Sequence, residues 1–168
     1  MIWTDLKRKQ AIYMADGSNA SMLRIFMSDG TSAMCLYRTM RFFKQIKLSP
    51  VAYLVAWLNK FLNGCVIGIN AHFDEGFVIM HPNGVIINSK VQGGKNVTLE
   101  SGVVIGDNRG RSPTLQDNVF VGSGAKIIGE VIIENNVDIG ANAVVTKDAP
   151  ARSVMLGIPA VAKLKDKQ

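Results

Sequence analysis

The stretch from Leu115 to Val145 repeats every six residues, and that period leaves few folds open. Leu115, Val121, Ile127, Ile133, Ile139 and Val145 recur at that step, and each is a branched aliphatic. Four residues after each of the first five comes a second small or aliphatic side chain: Val119, Ala125, Val131, Val137 and Ala143. Between them stand Asp117, Asn118, Gly122, Gly124, Gly129, Asn135, Asn136, Gly140 and Asn142, residue types that suit tight corners and left-handed backbone. A helix would repeat its apolar residues at three and four, and a half-buried strand at two. A step of six predicts a short strand and then a corner, three sides to a coil, with the aliphatics stacked from coil to coil into a column. The expected fold class is therefore an all-β parallel solenoid. Chance alternation in an ordinary β-sandwich would have to fill eleven successive slots correctly.

The period continues upstream with less regularity. Ile69, Ile87, Leu99 and Ile105 fall on it, with Phe73, Ile79, Val85, Val91, Val97 and Val103 as partners, while slots 75, 81 and 93 hold Glu75, His81 and Gly93. From Ile105 to Leu115 the step is ten, and the extra residues lie within Asp107-Asn108-Arg109-Gly110-Arg111-Ser112-Pro113. A loop ejected from a regular solenoid is a binding element more often than a tolerated insertion. His81 stands in a slot where most coils place an aliphatic, beside the corner Pro82-Asn83-Gly84. A polar ring there needs a partner or a purpose. The bland reading is a structural histidine at a coil edge. The sharper one is a general base, since an ordinary histidine pKa of about 6.5 suits proton abstraction near neutrality. His72 has no such context and reads as a surface residue.

Residues 1–63 lack the period and form a helical N-terminal segment. Ser21–Met27, Thr31–Ile46 and Val51–Leu62 read as helices, with Gly30 between the first two and Asn63-Gly64 ending the third. The third is apolar on nearly all sides, so it is expected to bury against the solenoid, a neighbouring subunit or a membrane surface. Residues 64–163 form the solenoid domain and 164–168 a polar tail, with Lys163, Lys165 and Lys167 near the end. The net charge of +6 is unevenly placed: residues 1–64 carry nine Lys and Arg against three Asp, and the remainder balances ten against ten. This allows peripheral contact with an anionic surface such as the inner membrane face, or simply a solvated basic face. Stacking aromatics interleaved with basic residues are absent, which argues against nucleic acid. The two cysteines, Cys35 and Cys65, have no metal-like spacing and read as free thiols. With no signal-peptide pattern at Met1-Ile2-Trp3, a cytoplasmic location is expected.

Five segments then carry a more specific likeness: 76–88 (Gly-Phe-Val-Ile-Met-His-Pro-Asn-Gly-Val-Ile-Ile-Asn), 102–110, 122–129, 140–148 and 157–160. In order and spacing they resemble the serine acetyltransferase family of left-handed parallel β-helix (hexapeptide) acyltransferases. The resemblance covers about residues 64–163 and is weaker over the helical segment. Within the family the chain looks closest to the short members of bacterial surface-polysaccharide clusters. The resemblance implies that His81 is the catalytic histidine, deprotonating a hydroxyl that attacks acetyl-CoA directly, with no acyl-enzyme and no metal. It implies that Gly106, Ser123, Gly124, Ala141 and Asn142 line the pantetheine channel, that Lys147 meets CoA phosphates, and that the protein is a homotrimer with sites between subunits.

The departures from the family pattern shape the acceptor expected. The family pairs its histidine with an aspartate fifteen residues earlier, where this chain has Val66, and carries another just before it, where this chain has Met80. An Arg-His pair in the family's loop reads Arg111-Ser112 here. His81 must then be oriented by something else, such as a backbone carbonyl or a residue of the next subunit. With the groups that grip a small zwitterion reduced, the expected acceptor is a sugar hydroxyl of a surface polysaccharide or its precursor, touched by Asn83, Arg109 and Arg111. L-serine is the alternative acceptor. A non-catalytic β-helix that assembles other proteins is an alternative of another class. A γ-type carbonic anhydrase would need three histidines, and this chain has two. A sugar nucleotidyltransferase would need a nucleotide domain that 63 residues cannot supply.

Overall fold

The computed structural model of the protein describes residues 1–165. Four helices come first: α1 (Ile2–Ala15), α2 (Met22–Phe26), α3 (Thr31–Gln45) and α4 (Ser49–Asn63). Short strands then wind in coils of three. The first coil holds β1 (Val66–Ile67), β2 (His72–Phe73) and β3 (Val78–Ile79), and the second β4 (Ile86–Ile87), β5 (Gln92–Gly93) and β6 (Thr98–Leu99). The third holds β7 (Val104–Gly106), β8 (Thr114–Leu115) and β9 (Phe120–Val121), and the fourth β10 (Lys126–Ile128), β11 (Ile132–Ile133) and β12 (Asp138–Ile139). After β13 (Val144–Val145), the strands β14 (Ser153–Leu156) and β15 (Val161–Leu164) close the end as an antiparallel pair. The expected polar tail lies mostly beyond residue 165, and Lys167 is outside the described residues.

Equivalent strands of successive coils pair in parallel, giving three sheets ordered β1-β4-β7-β10-β13, β2-β5-β8-β11 and β3-β6-β9-β12-β14-β15. Ile67, Phe73, Ile79, Ile87, Leu99, Ile105, Leu115, Val121, Ile127, Ile133, Ile139 and Val145 point inward and are buried, so the six-residue period is the core column itself. The register shows where the period breaks. Val66 pairs with Ile86, Ile86 with Val104, Val104 with Lys126 and Lys126 with Val144, so successive coils take 20, 18, 22 and 18 residues. A regular coil is three sixes. The four extra residues of the third coil form the 107–113 loop, where the sequence places them. The two extra residues of the first coil lie between Ile79 and Ile87, in the corner that carries His81. That corner corrects the sequence register: His81 is not in an inward slot but on an exposed corner, because the two added residues displace it from the column.

Helices α2, α3 and α4 match the three helices expected, while α1 was not expected. Its buried residues are Asp5, Leu6 and Lys9, so it turns two charged side chains inward and shows no apolar stripe to read. Asp5 is wholly buried and bound by Arg38 of α3, which donates from Nε and Nη2 to its two oxygens at 2.7 and 3.1 Å. It also accepts from Gly76 N and Phe77 N, while Arg38 donates to the carbonyls of Phe73 and Asp74. A buried ion pair is tolerable when its remaining donors and acceptors are met in this way. This pair clamps α1 and α3 to the first coil. Part of the basic excess of residues 1–64 is therefore structural: Arg38 and Lys9 lie inside the protein.

Tyr37 of α3 plugs the column end. Its hydroxyl accepts from Phe73 N at 2.9 Å and reaches Ala71 O at 3.3 Å, and its ring meets Phe73 and Phe77 edge-on. Helix α4 lies beside α3 and β1 and is turned inside out. Asn59 and Asn63 are buried, with Asn59 donating to Ala33 O and Asn63 accepting from Ser32. Tyr53, Leu54, Trp57, Phe61 and Leu62 are each more than half exposed.

Candidate active site

Three lines of corners run down the β-helix, and the site is built on two of them. One edge carries His81 and Asn83, then Ser101, then Ser123 and Gly124, then Ala141 and Asn142. Backbone bonds stack these corners directly: Gly102 N to Asn83 O, Gly124 N to Ser101 O and Asn142 N to Ser123 O, at 2.8–2.9 Å. Lys126 ties the same edge from the side by donating to the carbonyls of Gly102 and Gly124. The second edge lies across the five-stranded sheet and carries Gly106, the 107–113 loop and Lys147. One chain thus places His81, Asn83, Ser123, Gly124, Ala141 and Asn142 together, and holds Gly106, Arg109, Arg111 and Lys147 apart from them.

On the first edge a polar cleft opens between the helical segment and the corner. Ser28, Asp29, Ser32, Asn63, His81 and Asn83 contribute its polar groups. His81 is half exposed, and its Nδ1 lies 3.3 Å from Asp29 Oδ2. With the Nδ1 proton donated to that carboxylate, Nε2 is left as the acceptor that a general base needs. Within the chain, the group facing His81 Nδ1 is a carboxylate rather than a backbone carbonyl, that of Asp29, 52 positions earlier in the helical segment. Only its place in Ser28-Asp29-Gly30, at the turn between two helices, sets Asp29 apart in the sequence. Gly30 explains how the turn reaches the corner. A Cβ at Gly30 would sit 2.1 Å from Ile79 O, so this turn packs directly against the backbone that leads into His81.

On the second edge, Asn108 and Arg111 bridge the 107–113 loop into a tight hairpin, and Asp107 accepts from Gly110 N. Arg111 is paired with Glu130 at 2.9 Å, both exposed. Arg109 takes a left-handed backbone, and its side chain has no hydrogen bond or ion pair among the described residues. His72 is not a free surface group: Arg41 lies 3.1 Å from its Nδ1 and Asp74 3.1 Å from its Nε2, a structural brace of the first coil. Burial pushes the Cys65 thiol up to about 12, and also raises that of Cys35. Neither has thiolate character.

Asp29→Asn tests the pair. It keeps the volume but can present its amide NH2 to Nδ1, which favours the wrong tautomer. Steady-state turnover is expected to fall roughly tenfold to a hundredfold, with substrate binding unchanged.

Comparison with known proteins places this geometry. Residues 112–147 match the bacterial transferase hexapeptide family (six repeats). A serine acetyltransferase of Helicobacter pylori is 33% identical over 147 residues, covering 85% of this chain and 86% of that protein. One from Synechococcus elongatus is 34% identical over 134 residues, covering 77% of this chain and 55% of that protein. The chain thus spans little more than half of one relative and most of the other. Among solved structures, soybean serine acetyltransferase complexed with serine superposes with a TM-score of 0.87 at 24% identity, covering 96% of this chain and 68% of that one. A serine acetyltransferase in complex with CoA does so with a TM-score of 0.87 at 21% identity, with the same coverages. The fold is the left-handed parallel β-helix of these acyltransferases, preceded by a helical segment.

These relatives overturn the sugar acceptor expected from the sequence: they are serine acetyltransferases, not polysaccharide-modifying enzymes. Positions 66 and 80 hold Val66 and Met80, and the carboxylate that reaches His81 comes instead from Asp29, in another part of the chain.

Proposed function

The chain belongs to the serine acetyltransferase family of bacterial hexapeptide transferases, and we propose that it transfers acetyl from acetyl-CoA to the hydroxyl of L-serine. The observation that carries the chemistry is the His81–Asp29 pair at the mouth of an open polar cleft. His81 Nε2 takes the proton of the serine hydroxyl as the oxygen attacks the thioester carbonyl. Asp29 holds the ring in that tautomer and stabilises the imidazolium that forms. The tetrahedral intermediate then collapses with loss of the CoA thiolate, which takes the proton back from His81. No acyl-enzyme is needed, because both substrates meet in one cleft. Incubation with acetyl-CoA and an equimolar set of hydroxyl compounds, L-serine among them, tests the acceptor. O-acetylserine should be the dominant product by mass spectrometry.

CoA is proposed to lie along the edge below His81, where Ser123, Gly124, Ala141 and Asn142 offer stacked backbone groups to a pantetheine chain. Gly106, Lys147, Arg109 and Arg111 are assigned to the neighbouring subunit's side of the same channel, since one chain holds them on its other edge. A homotrimer accounts for this division and for the apolar surface between. Val66 and Ile86 expose aliphatic side chains on the outer face of the five-stranded sheet, next to the inside-out face of α4 with its stacked Trp57 and Phe61. Exposed large apolar side chains on both neighbouring elements suit an interface. Replacing Ile86 and Trp57 together by lysine is expected to give monomers in light scattering after gel filtration. Turnover should fall with the trimer, because each site would lose its second edge.

A further inference from the structure

Lys9 of α1 is a fully buried charged group, and neither the acetyl transfer nor the fold of its own helix accounts for it. Its side chain is 0% exposed. It donates to the backbone carbonyl of Asp29, to Thr31 Oγ1 at 3.2 Å and to Ile79 O at 3.3 Å. Two of these acceptors belong to the turn that carries Asp29. The third belongs to the residue two before His81. A single ammonium thus joins the two backbone segments whose side chains form the catalytic pair, although they lie far apart in the chain. Such a bond is costly to bury: desolvation pushes the Lys9 ammonium down to about 8, against the attraction of the Asp29 and Glu100 carboxylates. A methionine or leucine would fill the same volume without that cost. A buried charge kept at such a cost, on three acceptors of this location, is suited to hold geometry.

We infer that Lys9 is a positioning residue that sets Asp29 against His81, by tying the Asp29 turn to the coil that leads into the His81 corner. It touches no substrate and acts through the tautomer and direction of the His81 ring. The inference rests on the assignment of His81 as the base, so it needs a readout that does not depend on turnover. Long-range proton–nitrogen NMR of the full-length chain gives one. The two histidine rings are separated by assigning His81 with the His81→Ala variant. In the wild type the His81 proton should reside on Nδ1. In Lys9→Met the Nδ1-protonated share should fall roughly twofold or more, since the tautomer follows the hydrogen bond that fixes it.

Turnover supplies the second readout. Lys9→Met should lower kcat for serine acetylation about tenfold, with the KM for acetyl-CoA unchanged, as expected for lost alignment rather than lost binding. In an Asp29→Asn background the same substitution should have no further effect, because groups acting in series are not additive. If Lys9→Met does not fold, Lys9→Gln, which retains an amide donor but neither the reach nor the charge, is read in the same way. An unchanged tautomer and kcat in a folded variant would overturn the inference. So would an equal fall of kcat in the Asp29→Asn background, which would mark a general structural role. A wild type inactive on serine, with a tautomer that still responds to Lys9, would overturn the acetyltransferase assignment and leave this inference standing.

Discussion

His81→Ala is expected to lower the turnover of L-serine acetylation by roughly 10²- to 10⁴-fold, the range for losing a positioned general base. Acetyl-CoA affinity should stay within about threefold of wild type, since the proposed pantetheine contacts are backbone groups of lower coils. The split matters more than the size of the loss. His81 is half exposed on a corner formed by two residues beyond the regular coil, outside the buried column. Its removal should therefore leave the thermal midpoint and the trimer unchanged. Titration calorimetry with CoA, steady-state kinetics and a thermal melt together check this. A variant that loses CoA binding along with turnover would show that the corner shapes the CoA channel.

Gly30→Ala should have the largest effect of any single-atom addition in the helical segment. Its new Cβ would meet Ile79 O at 2.1 Å, Ile79 C at 2.9 Å and Met80 O at 2.9 Å, all of them backbone atoms that cannot rotate away. Gly30 also holds φ at +76°, a left-handed conformation that an alanine resists. Left-handed backbone costs about 1–2 kcal/mol and overpacking about 1–3 kcal/mol more. A loss of about 3 kcal/mol in urea unfolding is expected. The turn can relieve the clash only by lifting from the coil, which carries Asp29 away from His81. Residual folded enzyme should therefore show a lower kcat even under conditions where it is fully native. Wild-type stability and turnover in Gly30→Ala would mean that the Asp29 turn does not pack on the first coil.

The sequence was legible where local pattern decides structure. The six-residue step named the solenoid because each inward aliphatic repeats one physical position, and the ten-residue step from Ile105 to Leu115 exposed the ejected loop. Helices α2, α3 and α4 showed through their spacing and their Gly and Asn-Gly stops. Helix α1 did not, because Asp5 and Lys9 face inward and are satisfied by Arg38 and by backbone carbonyls, contacts that apolar periodicity cannot register. The register at His81 was misplaced for a related reason. A two-residue insertion looks like a slot occupied by the wrong residue until strand pairing sets Ile67, Phe73 and Ile79, not positions 69, 75 and 81, in line with Ile87, Gly93 and Leu99. The sugar acceptor is contradicted by the relatives, and Asp29 is the site group that spacing hides. The sequence offered no aspartate at the two positions where this family keeps one, and a carboxylate delivered from a helix turn 52 residues away leaves no spacing to recognise. The division of the site between two edges follows from the coil geometry, which sequence spacing alone does not reveal.

The most direct test of the account is the release of CoA thiol from acetyl-CoA by the wild-type chain, followed with and without L-serine. The account predicts slow release alone and a saturable acceleration by serine, with O-acetylserine formed in equal amount. If acetyl-CoA binds and serine produces no acceleration at any concentration, then the His81–Asp29 pair is not serving serine acetylation and the proposed function is wrong.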